Sequence, residues 1–161
     1  MIAAITQTLT EILVENSPLI RTVEIDLNHP QMRQDVKPAL SLYLYALTKT
    51  NPNTLNDRVR QLDSEHYLVD WYDLSFVIIA WDWTVLGQWQ LLSEVLTSLI
   101  PYKLIAQEKL APELRGFGDL PIHIATSIPD NARCEEALGI SFHPALYLTI
   151  PTPFTVARLQ P

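Results

Sequence analysis

One α+β domain is predicted, with a mixed or mainly antiparallel sheet packed by a principal helix over residues 84–99 and an N-terminal helix. Three observations predict it. Two segments carry apolar residues at helical spacing, and several others alternate with period two. The order runs helix, strands, helix, strand, helix, strand, without the regular alternation that a doubly wound parallel sheet requires.

Residues 2–15 read as the first helix, because Ile2, Ile5, Leu9 and Ile12 recur on one face while Thr6, Gln7, Thr10 and Glu11 fill the other. Ser17-Pro18 stops it, since proline cannot continue a helix. In residues 22–27, Val23, Ile25 and Leu27 alternate with Glu24 and Asp26 as a half-buried strand. Residues 39–47 form the clearest strand. Leu40, Leu42 and Leu44 line one face and Ser41, Tyr43 and Tyr45 the other, which suits a strand covered on both sides. Residues 49–70 are polar and rich in turn signals, and read as a long connection with one helical turn near Arg58 to Leu62.

Residues 72–81 form a second strong strand, and the period then changes. Val85, Trp89, Leu92, Leu96 and Leu99 share one side of a helix over 84–99, with Trp89 expected in the core. Gly87 lowers the helix propensity of its first turn, and Pro101 ends it. Short strands follow at 103–106 and 121–127, then a helix capped by Asp130 and closed by Gly139. The last strand spans 143–150. Pro151 and Pro153 break it, so the domain is expected to cover residues 1–153, with 154–161 as a C-terminal arm.

Composition narrows the function. Charged residues make up 18% of the 161-residue chain, against about 25% in an average domain. More of the surface is therefore neutral and suited to partner contacts. The net charge is -7, and Arg58 and Arg60 stand beside Asp57 and Asp63. No cationic cluster remains to neutralise phosphates, which argues against nucleic acid and anionic membranes. Cys134 is the single cysteine, so no intrachain disulfide forms. The N-terminus lacks the positive region of a signal peptide. The apolar run at 76–80 is far shorter than the about 20 residues that span a bilayer. A cytoplasmic protein without membrane insertion is expected.

A search for chemistry finds no catalytic constellation. His29, His66, His123 and His143 are scattered without metal-ligand spacing. Glu135 and Glu136 beside Cys134 disfavour its thiolate. Gly116-Phe117-Gly118 lacks the third glycine of a nucleotide fingerprint and reads as a turn. Asp73 and Asp82 lie at opposite ends of a strand, about 30 Å apart at ~3.3 Å per residue, too far to share one acid–base site. Catalytic, cofactor-binding and metal-binding residues are thus expected to be none. Trp71, Tyr72 and Trp83 sit at element ends and are the candidate interface anchors. Phe154, Val156 and Leu159 give the arm an apolar edge that could add to a neighbour's sheet.

The segments MIAAITQTLTEIL, LSLYLYALTKTN, LSFVIIAWDWTVLGQWQLLSEVLTSLI and ALGISFHPALYLTIP occur in an order that resembles a known family. It is the N-terminal domain family of the cap, or tail-terminator, protein of phage-tail-like extracellular contractile injection systems. Leu42 to Tyr45 followed by Asn51, and Gln90 to Leu96, carry most of the likeness, which extends to about Pro153. The chain departs where the family carries an Arg-Asn pair; here Arg58-Val59 stands nearest. The resemblance implies a hexameric ring on the last ring of the inner tube. That ring stops tube growth and anchors the sheath end, with no cofactor and no bond-making chemistry. Its implied partners are further copies of the chain, the inner tube protein and the sheath protein, within a particle assembled in the cytoplasm. A non-enzymatic adaptor of another assembly is the alternative.

Overall fold

The computed structural model describes residues 1–35, 37–51, 67–125, 136–140 and 143–157, with the side chains of 67, 68, 156 and 157 left aside. Helix α1 (Ile2–Asn16) leads through a 3-10 turn to strand β1 (Glu24–Asp26). Strands β2 (Ala39–Lys49) and β3 (Tyr67–Trp81) follow, then helix α2 (Val85–Leu99). Strands β4 (Leu104–Ile105) and β5 (Leu120–Pro121) pair with each other. Strands β6 (His123–Ala125) and β7 (Ala145–Ala157) complete the main sheet, whose order is β1-β2-β3-β7-β6. The β1–β2 pair is parallel and the other three pairs of that sheet are antiparallel, so the sheet is mixed and mainly antiparallel.

Two apolar layers cover the sheet. Ile5, Leu9 and Leu13 of α1 and Leu91, Val95 and Leu99 of α2 pack with Leu40, Leu74, Phe76, Ile78 and Leu148 into the larger core. On the other face Val77, Ile79 and Tyr147 meet Leu138 and Ile140, with Tyr43, Tyr45 and Trp81 at the margin. The alternation of β2 sends its leucines to one layer and its tyrosines to the other, which is why both faces of the strand are apolar. The register of β2 on β3 shifts between Leu44 and Ala46, a bulge at Tyr45. Trp81 Nε1 donates to Ser41 Oγ at 2.8 Å and ties the end of β3 to the start of β2.

Several element bounds differ from the sequence reading. Strand β3 begins at Tyr67, so residues 67–70 belong to the sheet and not to the preceding connection. The helical turn expected near 58–62 and the Asp130 cap lie outside the described residues, as does Cys134. Pro151 and Pro153 do not end the last strand: β7 pairs with β3 out to Ala157 opposite Tyr67. Two prolines spaced by two residues turn their nitrogens to the same side of a strand, and β3 bonds the other side. Residues 154–157 therefore continue β7 alongside β3, where the strand was expected to stop at Ile150.

Thr8 joins α1 to the segment after β4. Its hydroxyl is fully buried, donates to Ala4 O at 2.9 Å and accepts from the Ala111 N–H at 3.0 Å. Thr8→Val should leave the Ala111 N–H without its acceptor and cost about 1–3 kcal/mol. Thr8→Ser keeps the oxygen and should cost under ~1 kcal/mol, one methyl group. Urea denaturation of both variants checks this; a Thr8→Val loss near zero, or smaller than that of Thr8→Ser, would show that the hydrogen bond does not carry the stability.

Candidate interaction surface

Helix α2 is set on the end of β3 by a tight cap. Thr84 Oγ1 accepts from the Gly87 N–H at 2.9 Å. The Asp82 carboxylate accepts from the Thr84 N–H at 2.9 Å and from its hydroxyl at 3.0 Å. Gln88 Nε2 donates back to Asp82 O at 3.3 Å. An added Cβ at Gly87 would stand 2.2 Å from Asp82 Oδ1, so a larger residue there would displace this carboxylate from the cap. The propensity cost of Gly87 is the condition for the carboxylate to reach the cap.

This cap sets the rotation of the helix, and the rotation overturns one expectation. Leu91, Val95, Ser98 and Leu99 face the core. Trp89, expected inside, is 52% exposed. It joins Trp83 at 69%, Val85 at 56% and Leu86 at 73% in an apolar surface over the first turns of α2. Apolar residues span a wide arc of the helix, from Leu91 and Val95 through Leu92 and Leu96 to Val85 and Trp89, so apolar spacing alone admitted two rotations about one residue apart. Farther along, Ser93 and Thr97 are exposed, and Ile100 just beyond the helix is 60% exposed. Glu94 is the single ionisable side chain of α2, and it turns inward to accept from Ser17 Oγ at 2.7 Å. The solvent face of a 15-residue helix therefore carries no charge, the composition of an interface centre.

The residues singled out by sequence fall in different places. Trp83 is on this surface. Trp71 lies inside β3, not at its end, is 7% exposed, and meets Phe117 edge-on at 6.5 Å. Tyr72 and Phe154 are half-buried and pack edge-on against each other at 5.4 Å. Val156 belongs to β7, and Leu159 lies outside the described residues. Val85, Leu86 and Trp89 were missed, and the signal that could have found them is the absence of charge between Asp82 and Glu94.

The polar groups serve the fold. Asp70 pairs with Lys49 at 3.3 Å, and Asp73 accepts from Thr50 Oγ1 at 2.8 Å. His29 Nδ1 accepts from the Gln31 N–H at 3.2 Å, and its ring meets Tyr43 edge-on. His143 rests against Trp81. A cleft of about 360 Å³ is lined by Gln7, Glu11, Glu15, Glu108, Lys109 and Arg115. In it Lys109 is hydrogen-bonded to Glu15, which raises the pKa of the ammonium. Among the described residues no three His, Cys, Asp or Glu stand together as a metal site, and no helix is long and apolar enough to cross a membrane.

The fold is an α+β module with an exposed apolar surface over the first turns of α2. Residues 4–153 match the family of the Pvc16 N-terminal domain, and the chain belongs to that family. Its fold is similar to that of the sheath/tube terminator of an extracellular contractile injection system, PVC, in the extended state. That comparison has a TM-score of 0.64 at 15% identity, over 98% of this chain and 58% of that one. It is also similar to the tube-terminating cap of the anti-feeding prophage, with a TM-score of 0.63 at 14% identity, over 96% of this chain and 55% of the cap. The chain thus spans a little over half the length of both proteins. No curated protein sequence gives a significant match.

Proposed function

We propose that the chain is a structural subunit of the cap of a contractile injection system. Six copies form a ring on the distal end of the inner tube, end its growth and hold the last ring of sheath. The particle is assembled in the cytoplasm, and the subunit works by contact alone, without cofactor or catalysis. The family membership supports the class of particle. The observation that carries the role is the uncharged surface of Trp83, Val85, Leu86 and Trp89, set on a fold similar to two terminators. A solitary soluble domain rarely leaves two tryptophans six residues apart more than half exposed without a partner to cover them.

Trp83→Ala tests the role. The side chain is 69% exposed, so the variant should keep its far-ultraviolet circular dichroism while capping tubes poorly. Loss of an interface anchor costs about 2 kcal/mol or more, roughly thirtyfold in affinity. The length distribution of tubes assembled with the variant should broaden toward longer tubes in electron micrographs. A map of the particle in which this chain sits in any symmetry other than sixfold would contradict the ring.

A further inference from the structure

Two copies of this chain approach each other against a net charge of -7 apiece. Any contact that buried carboxylates of both without cations would be costly. Helix α2 offers the surface that avoids this. From Trp83 to Ser93 the sequence has no ionisable side chain. The exposed areas of Trp83, Val85, Leu86 and Trp89 add up to on the order of 400 Å². That is about half of one side of a standard interface, near 800 Å² per partner. A partner of opposite charge would be recognised through acidic side chains, and the outer face of α2 has none.

We propose that the outer face of α2 around Leu86 and Trp89 is the contact by which one copy of this chain joins the next. The proposal rests on the ring-subunit reading above and names the surface that builds the ring. A closed ring uses two different patches per subunit, and α2 supplies one of them. Because the contact is apolar while the remainder of each copy is acidic, salt strengthens it. Added ions screen the repulsion between copies and leave the apolar contact intact. An interface held by ion pairs would weaken instead.

The test uses the full chain, with a photoreactive phenylalanine derivative at position 86, which is 73% exposed. Irradiation of the concentrated chain, alone and mixed with inner tube protein, should give an adduct of twice the 18.3 kDa chain mass in both samples. An adduct with tube protein only, or no adduct between copies, would overturn the proposal. In sedimentation equilibrium, Leu86→Glu should weaken self-association roughly thirtyfold or more with unchanged circular dichroism and melting. Raising salt from roughly 0.05 to 0.5 M should tighten the wild-type association. A variant that associates as well as wild type, or association that weakens with salt, would equally overturn it. Tube capping measured on the same samples separates the two readings. Capping without copy-to-copy cross-links sinks this surface and spares the cap role; cross-links without capping do the reverse.

Discussion

Trp71→Ala should lower the stability of the domain by about 3–5 kcal/mol, the cost of deleting a buried aromatic side chain. The indole is 7% exposed, lies in the larger core and meets Phe117 edge-on. The backbone beside it is equally constrained, because Trp71 O accepts from the Thr50 N–H at 3.0 Å and closes the end of the β2–β3 ladder. For a chain of this size the loss corresponds to a melting temperature lower by on the order of 10 °C. Trp83→Ala, by contrast, should change stability by no more than about 0.5 kcal/mol. Chemical denaturation of the two variants side by side reads the difference. Comparable stability losses would show that Trp83 is packed as firmly as Trp71 and overturn this assignment.

Arg33→Ala is expected to cost about 3 kcal/mol, because it removes one partner of a buried ion pair. The Arg33 side chain is 4% exposed. Its Nη1 lies 3.5 Å from Asp26 Oδ2, and its Nη2 lies 2.7 Å from Asp35 Oδ1 and donates to Lys37 O at 3.1 Å. The guanidinium thus links the end of β1 to the segment before β2. It supports the parallel register in which Glu24 stands opposite Ala39. Arg33→Lys should recover little, since a single ammonium cannot reproduce the planar fork. Asp35→Ala should cost less than about 1 kcal/mol, because that carboxylate is half exposed and screened by water. Urea midpoints for the three variants test the order. An Asp35→Ala loss as large as that of Arg33→Ala would place the weight of the site on the outer pair.

The long elements were legible because their apolar spacing is regular and their packing is two-sided or one-sided throughout. Leu40, Leu42 and Leu44 against Tyr43 and Tyr45 give the two faces of β2, and both layers exist. Ile5, Leu9 and Ile12 likewise mark the buried side of α1. The carboxylates Asp70, Asp73 and Asp82, read as structural, each have a local partner. Reading failed where a local signal had two physical solutions. Proline at 151 and 153 forbids one side of a strand only, and which side meets β3 depends on the pairing.

What the chain determined by itself is the class of fold, the two helices, the central strands and a surface poor in charge. These follow from periodicity and composition, which are properties of short segments. The family resemblance was legible in the same segments and extends over the residues that the family matches. Tertiary structure alone decided which side of α2 faces outward. The Asp82–Thr84 cap and the packing of Leu91 and Val95 rotate the helix so that Trp89 stands in solvent, while Trp71, on the strand before it, is enclosed in the larger core against Phe117. An apolar side chain is equally content in a core or at an interface, and only its neighbours in space distinguish the two.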